Sequence, residues 1–301
     1  MFYIFGFYKF KRLTGLKKLK VLFQEKFIKN NIRGTIIFSK EGINGTISGK
    51  KTSIHLIKRN LMHIFKIKNF DSENFSECNF QPFHRGKIKI KKEVVPLGFQ
   101  VLKSKATKNY IEPNKWNSLI EEPNVYLIDA RKPFEYNVGT FKGSKNPNIN
   151  NFRDFPRYLK KINKENKIAM FCTGGIRCEK ASLYLKNKGF KNVFQLKGGI
   201  LNYLKNVKKN QSLWKGECYV FDNRISVKHN LKVGTYLMCS GCRKPLSDKD
   251  TKSKKYVEGI SCPKCFDNLT ESQKSRFAMR QKQILTAKKT GKKYIFQKEY
   301  T

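Results

Sequence analysis

Alternation of apolar and polar side chains dominates the first hundred residues. Phe2 to Phe10 carries apolar residues with the period of a strand. Thr14 to Asn30 puts Leu16, Leu19, Leu22, Phe23 and Phe27 on one face, the 3.6-residue period of an amphipathic helix. Thr35 to Ser39 and Gly45 to Ser48 read as strands on either side of the glycine-bearing turn Lys40-Glu41-Gly42-Ile43-Asn44-Gly45. Ser53 to Phe65 is helical in pattern, and Lys87 to Val94 alternates as a final strand. The apolar start at Met1 is too short for a signal-peptide core and has no basic leader, so it belongs to the first strand.

The order strand, helix, strand, strand, helix, strand predicts a ferredoxin-like (acylphosphatase-like) α+β domain over residues 1–95. Residues 96–112 form a linker that carries Leu97, Phe99 and Val101 and so lies on a domain surface. From Pro113 to residue 206 short apolar strands alternate with helices, which predicts an α/β unit with a parallel sheet. Its elements are a helix starting at Pro113 with Trp116 and Leu119, strands at Val125 to Arg131, Lys167 to Phe171 and Val193 to Leu196, a helix from Glu179 to Gly189, and a last helix opened by Lys197-Gly198-Gly199-Ile200. Residues 207–301 change character, with a short strand pair from Phe221 to Val227 and a basic segment, Lys274 to Lys293, that begins helical. That segment reads either as a solvated helix face or as a contact for RNA.

Chemistry concentrates at Cys172-Thr173-Gly174-Gly175-Ile176-Arg177-Cys178. A cysteine at the end of a strand, on a glycine loop that leads into a helix, meets backbone N–H groups and the positive end of the helix dipole. Such a setting lowers a thiol pKa and suits a nucleophile or sulfur carrier. Arg177 adds a nearby cation, and Cys178 is either a resolving partner for an oxidised Cys172 or a buried first-turn residue.

The formal charge is +42, from 64 basic and 22 acidic residues. Such a surface attracts polyanions, and nucleic acid is the natural partner. Only 12 of the basic residues are Arg, so the surplus is Lys, which makes sequence-blind point-charge contacts. The chain is also heavy in Lys, Asn, Ile and Phe, as AT-rich coding would give, so composition alone does not make it an RNA enzyme. No run of about 18 apolar residues occurs, so no membrane span is expected, and without an export signal the expected compartment is the cytoplasm.

Eight cysteines in a reducing compartment point to free thiols, metal ligands or catalysis. Cys239-x2-Cys242, nineteen residues, then Cys262-x2-Cys265 fits zinc-site spacing. Four thiolates select zinc or iron, and a zinc held by four protein ligands would be structural. Disulfides and empty reduced turns are the alternatives.

The punctuation of the middle region resembles a rhodanese domain. Val125 to Arg131, Phe134-Glu135-Tyr136, Gly139 to Ser144, Asn146-Pro147-Asn148, the Cys172 loop and Lys197-Gly198-Gly199-Ile200 fall in the rhodanese order. The loop is Cys-x4-Arg, shorter than the Cys-x5-Arg of cysteine phosphatases, and so resembles the sulfur-handling branch. Gly139-Thr140-Phe141-Lys142-Gly143-Ser144 lacks the histidine that many rhodaneses carry there. With Ser39 to Thr46, Asp222-Asn223-Arg224, His229-Asn230 and the four-cysteine tail, the whole chain resembles the bacterial rhodanese-like tRNA uridine hydroxylases. That resemblance implies oxygen-dependent 5-hydroxylation of the wobble uridine, position 34 in the tRNA anticodon loop. Molecular oxygen is then the co-substrate, and Cys172 the active-site cysteine, acting as thiolate or persulfide, with Thr173, Gly174, Gly175, Ile176, Arg177 and Cys178 supporting it. The sequence shows no dinucleotide fingerprint and no two-histidine, one-carboxylate set, and the four histidines at 55, 63, 84 and 229 are scattered. A sulfurtransferase using the same Cys172, and a non-catalytic RNA-binding module, are the competing readings.

Overall fold

A computed structural model of the chain describes residues 1–103 and 108–291. Part of the expected linker, 104–107, and the end of the basic segment, Lys292 and Lys293, lie outside the described residues.

The first domain runs β1 (Phe2–Phe10), α1 (Leu16–Lys29), β2 (Arg33–Ser39), β3 (Gly42–Gly49), α2 (Lys51–Ile64), β4 (Ser72–Cys78) and β5 (Gly86–Ile90). The sheet order is β4-β1-β3-β2-β5, antiparallel except for the parallel β2–β5 pair. The sequence pattern misassigned the end of this domain. The strand that completes the ferredoxin-like core is Ser72–Cys78, and the stretch expected to do so supplies instead a fifth strand at the opposite edge. β4 escapes pattern reading because Ser72, Asn74 and Ser76 alternate with Glu73, Phe75 and Glu77, leaving one ring to mark its apolar face. Strand alternation sends Phe5, Ile36 and Phe38 toward α1 and α2, where they pack on Phe23, Phe27, Ile54, Ile57 and Leu61. The other face of the sheet, with Gly6, Tyr8, Thr35 and Ile37, carries no helix of its own domain and turns toward the second domain.

The second domain contains β6 (Tyr110–Ile111), α3 (Pro113–Ile120), β7 (Val125–Asp129), α4 (Pro133–Tyr136), β8 (Gly139–Phe141), α5 (Phe155–Leu159), β9 (Lys167–Phe171), α6 (Ile176–Asn187), β10 (Val193–Leu196) and α7 (Gly199–Asn206). Its four-stranded sheet, β6-β10-β9-β7, is wholly parallel, as the alternating pattern requires. The expected linker is thus ordered at its end, where Tyr110 and Ile111 form the sheet edge beside Gln195 and Leu196. A second core, with Trp116, Phe141, Phe171 and Tyr203, extends to Trp214 on β11 (Trp214–Gly216), which pairs with β8. That pairing fuses the third region to the second.

The third region continues with β12 (Cys218–Tyr219), β13 (Ser226–Val227), β14 (Leu237–Met238), β15 (Pro245–Leu246), α8 (Asp248–Thr251) and α9 (Glu271–Lys289). Of the strand pair expected between Phe221 and Val227, only β13 falls there; it pairs with β12, which lies earlier, and residues 220–225 connect the two.

Consecutive buried charges at the start of α6 hold the first two domains together. Glu179 accepts hydrogen bonds from Tyr8 (2.7 Å), Tyr110 (2.7 Å) and Lys108 (2.5 Å). Lys180 donates to Glu41 (2.8 Å), Glu93 (2.5 Å) and the Val95 carbonyl (2.9 Å). Both side chains are fully buried. The Lys40-Glu41 turn is therefore more than a hairpin, since Glu41 reaches across to the second domain and also accepts from the Val94 N–H (2.9 Å). Burial raises the Glu41 pKa even against Lys180, while Lys180 and the amides of Leu97 and Gly98 outweigh burial at Glu93 and hold it low. Removing the cation would leave two carboxylates facing each other without it. Lys180→Met is expected to lower unfolding free energy by about 3 kcal/mol, measured by denaturant titration, because a broken buried ion pair strands its partners.

Candidate active site

β9 delivers Cys172 to the carboxyl end of the parallel sheet, the usual place for ligands in open α/β folds. Thr173, Gly174 and Gly175 turn the chain, and α6 starts at Ile176, three residues earlier than its apolar pattern indicated. Gly175 sits at φ +97°, a left-handed conformation that favours glycine. The floor of the loop is the start of α7. Ile200 N–H donates to the Cys172 carbonyl (3.0 Å) and Leu201 N–H to the Thr173 carbonyl (3.1 Å). A Cβ on Gly199 would fall 2.4 Å from the Cys172 carbonyl oxygen, so the Gly198-Gly199 step permits this approach.

Cys172 is only 1% exposed. Burial alone would push its thiol up, but the Cys178 thiol, the Arg177 guanidinium and the N–H groups of Cys178 and Arg177 outweigh it and bring the pKa to about 6. Burial and the adjacent Cys172 sulfur push Cys178 well above the ordinary thiol range. The two sulfurs are thus driven apart: the surroundings favour the thiolate at Cys172 and the thiol at Cys178.

Arg177 is not a free anion-binding fork. Its two terminal nitrogens donate to the Glu135 carboxylate at 2.8 and 2.9 Å, and Nη2 also reaches Thr173 Oγ1 at 3.2 Å. Burial opposes ionisation of Glu135, but Arg177 and then Arg131 keep its carboxyl low. Arg131 forms its own buried fork on Asp129, at 2.9 and 2.6 Å. Thr140, at the place of the missing histidine, donates to Asp129 (2.9 Å) and pairs with Ser144 (2.8 Å). Glu135 carried no role in the sequence reading. Its only local signal is an acid in the first turn of a four-residue helix.

A cleft of about 750 Å³ opens above Cys172. Thr173, Gly174, Ile176 and Arg177 line it with Cys172, so five of the seven loop residues meet there, while Gly175 and Cys178 support them from behind. Its other walls are the open face of the first sheet, including Asn44, Thr46 and Asn74, and the third region's Phe221, Asp222 and Arg224. Asp222-Asn223-Arg224 repeats the geometry of Asp129-Ala130-Arg131: a fork at 2.9 and 2.7 Å plus a backbone N–H to the same carboxylate (3.0 Å). Phe221, 62% exposed, stands edge-on to Tyr219 at the mouth.

Away from the cleft, the sulfurs of Cys239, Cys242, Cys262 and Cys265 lie within 4.8 Å of one another, with three pairs at 3.7 to 3.9 Å. Zn–S bonds of about 2.3 Å in a tetrahedron require sulfur separations of about 3.8 Å. The set is unbridged by disulfides and could bind a metal such as zinc.

Fold and loop together define a rhodanese-domain protein with an acylphosphatase-like domain ahead of it. The profile of the UPF0176 acylphosphatase like domain matches residues 2–94, and that of the rhodanese-like domain matches residues 112–206. A tRNA uridine(34) hydroxylase of Pelagibacter ubique is 64% identical over 300 residues, covering 100% of both chains. The chain belongs to the tRNA uridine(34) hydroxylase family. Among solved structures, the rhodanese-like domain of an Anabaena protein is 23% identical over 36% of this chain and 80% of its own, with a TM-score of 0.31. The reduced CoADR-RHD protein of Bacillus anthracis is 29% identical over 32% of this chain and 16% of its own, with a TM-score of 0.29. No helix among the described residues is long and apolar enough to cross a membrane.

Because the thiolate is the reactive form, alkylation of Cys172 by iodoacetamide should rise with pH through a midpoint of about 6 and then level off. Cys178→Ala removes the neighbouring thiol and should move that midpoint up toward the ordinary thiol value of about 8.5, read by mass spectrometry of the Cys172 peptide.

Proposed function

We propose that this protein hydroxylates C5 of the wobble uridine, position 34, of tRNA with dioxygen as co-substrate, in the cytoplasm, and that Cys172 is its catalytic residue. The observation that carries the reading is a full-length, 64% identical relative that bears the hydroxylase name, joined to a thiolate cradle at the base of a cleft. An anticodon-loop base is single-stranded, so turning it into such a cleft costs only a few kcal/mol.

In this reading the Cys172 sulfur adds to C6 of the uracil, and the C5=C6 pair moves onto C5 and the C4 carbonyl. C5 then carries the electron density that meets oxygen. Loss of the C5 hydrogen and departure of sulfur restore the double bond. One oxygen atom enters the base and the other leaves as water, the two electrons and two protons coming from an external two-electron reductant such as a pair of small thiols, which are oxidised to a disulfide. The amides at the start of α6 and the charge of Arg177 stabilise the sulfur anion before addition and after departure. Glu135 fixes Arg177 in place. A persulfide on Cys172 would use the same cradle.

The four-cysteine module would hold one structural zinc, since its four ligands leave no open position. Protein purified without chelator should contain about one zinc per chain, and a strong chelator should lower its unfolding temperature; metal-free protein with an unmoved transition would remove zinc from the picture.

Cys172→Ser should abolish 5-hydroxyuridine formation while leaving the fold unchanged, because serine does not ionise near neutral pH. The measurement is mass spectrometry of tRNA nucleosides from a deletion strain that carries the variant. Full activity of the serine variant would exclude Cys172 as nucleophile. Unchanged 5-hydroxyuridine in the deletion strain, with thiosulfate-dependent sulfur transfer by the pure protein, would favour the sulfurtransferase.

A further inference from the structure

Three of the twelve arginines, Arg33, Arg85 and Arg243, surround His84 closely enough for their charges to act on it. Gly34 pairs with Gly86 in the parallel β2–β5 register, and Gly34 N–H donates to the Arg85 carbonyl (2.9 Å), so Arg85 lies beside Arg33. Arg33 shares a strand face with Thr35 and Ile37, and both of these line the cleft. His84, next to Arg85, has its Nε2 3.1 Å from the Asn223 amide nitrogen, and Asn223 N–H donates to the Pro82 carbonyl (2.9 Å). Phe83 on one side of this contact, and Phe221, Asp222 and Arg224 on the other, also line the cleft. The group therefore adjoins the cleft wall that Thr35, Phe83 and Asp222 form.

Arg243 arrives from the four-cysteine module. It follows Cys242 in a left-handed conformation (φ 60°), and its N–H donates to the Cys239 carbonyl (3.0 Å). The turn that presents two sulfurs to a metal thus also sets where this arginine emerges. Its charge is felt at both His84 and Tyr219.

These arginines differ from the buried ones. Arg131, Arg177 and Arg224 each grip a carboxylate. Among the described residues, Arg33, Arg85 and Arg243 have no carboxylate at ion-pair distance and no hydrogen bond from the guanidinium, and Arg33 Nε is buried without a partner. Clustered cations without a counterion repel one another, and a ligand anion would offset that repulsion. The choice of side chain is also informative in a chain where Lys supplies most of the charge. The planar guanidinium matches two phosphate oxygens at once, as an ammonium does not.

We propose that Arg33, Arg85 and Arg243, gathered around His84 beside the cleft wall, form a phosphate cradle that grips the RNA backbone beside the base entering the cleft. This rests on the hydroxylase reading above. It gives the four-cysteine module a task at the substrate: holding Arg243 in position. Burial first, and then the three arginines, keep the His84 pKa low, so an arriving phosphate should raise it.

The test is tRNA binding by the full-length protein over a range of salt concentrations. Arg33→Gln, Arg85→Gln and Arg243→Gln should each weaken binding about tenfold and reduce the slope of log affinity against log salt by about 0.7 to 0.9. The exposed Lys191→Gln should change neither by as much. Arg33→Lys keeps the charge and should retain the slope while losing part of the affinity, which separates contact from misfolding. In the wild type, tRNA should raise the His84 midpoint followed by NMR. Variants that bind with unchanged affinity and slope, while the wild type binds and hydroxylates, would overturn the cradle alone. A wild type that neither binds tRNA nor forms 5-hydroxyuridine would overturn cradle and hydroxylase together. If inorganic phosphate moves His84 while the variants bind tRNA normally, the site takes a small anion and the RNA assignment falls.

Discussion

Everything near Cys172 depends on charges buried at the start of α6. Arg177, Glu179 and Lys180 fall within four residues, and each is enclosed where water solvates it poorly or not at all. An enclosed charge must find a partner or the fold pays its desolvation. Those partners come from different parts of the chain: Glu135 from α4, Tyr8 from β1, Lys108 and Tyr110 from the segment before α3, and Glu41 and Glu93 from the first domain. The helix whose first amides stabilise the thiolate is therefore the helix on which the first domain docks. Site geometry and domain geometry are a single constraint.

Short-range chemistry was legible in the sequence. The Cys172 loop, the spacing of Cys239, Cys242, Cys262 and Cys265, and the strand and helix alternation of the second domain are written in neighbouring residues, and the structure brings them together as their spacing demands. Contacts across long separations were not legible. Nothing local to Glu41 signals a partner 139 positions away, and nothing near Glu135 signals Arg177. Ser72–Cys78 was missed because Glu73 and Glu77 flank Phe75 on its helix-facing side, so alternation carries little contrast. Its other face, with Ser72 and Asn74, lines the cleft and suits a polar ligand.

Arg and Lys divide the electrostatics by geometry. Where a rigid fork is required, as against Asp129, Glu135 and Asp222, the chain uses Arg. Where a flexible cation suffices, it uses Lys, even at the fully buried Lys180, which spreads three donors over two carboxylates and a carbonyl. The large positive charge is thus mostly a property of the solvated surface, and the buried arginines mark places where direction matters.

The near-complete enclosure of Cys172 has a further consequence for how the protein ages chemically. The sulfur is ionised by amides and a guanidinium that exist in this arrangement only once α6 is folded and Arg177 is seated, so an unfolded chain carries an ordinary, sluggish thiol. In the folded protein Cys172 lines the cleft and is almost wholly enclosed. Bulky disulfides meet a wall, whereas hydrogen peroxide is small enough to pass and would carry the sulfur toward sulfenic acid. Cys178, fully buried six positions further on, is then the thiol placed to condense with it before oxidation becomes irreversible. The enclosure would make the protein's redox lifetime a matter of molecular size.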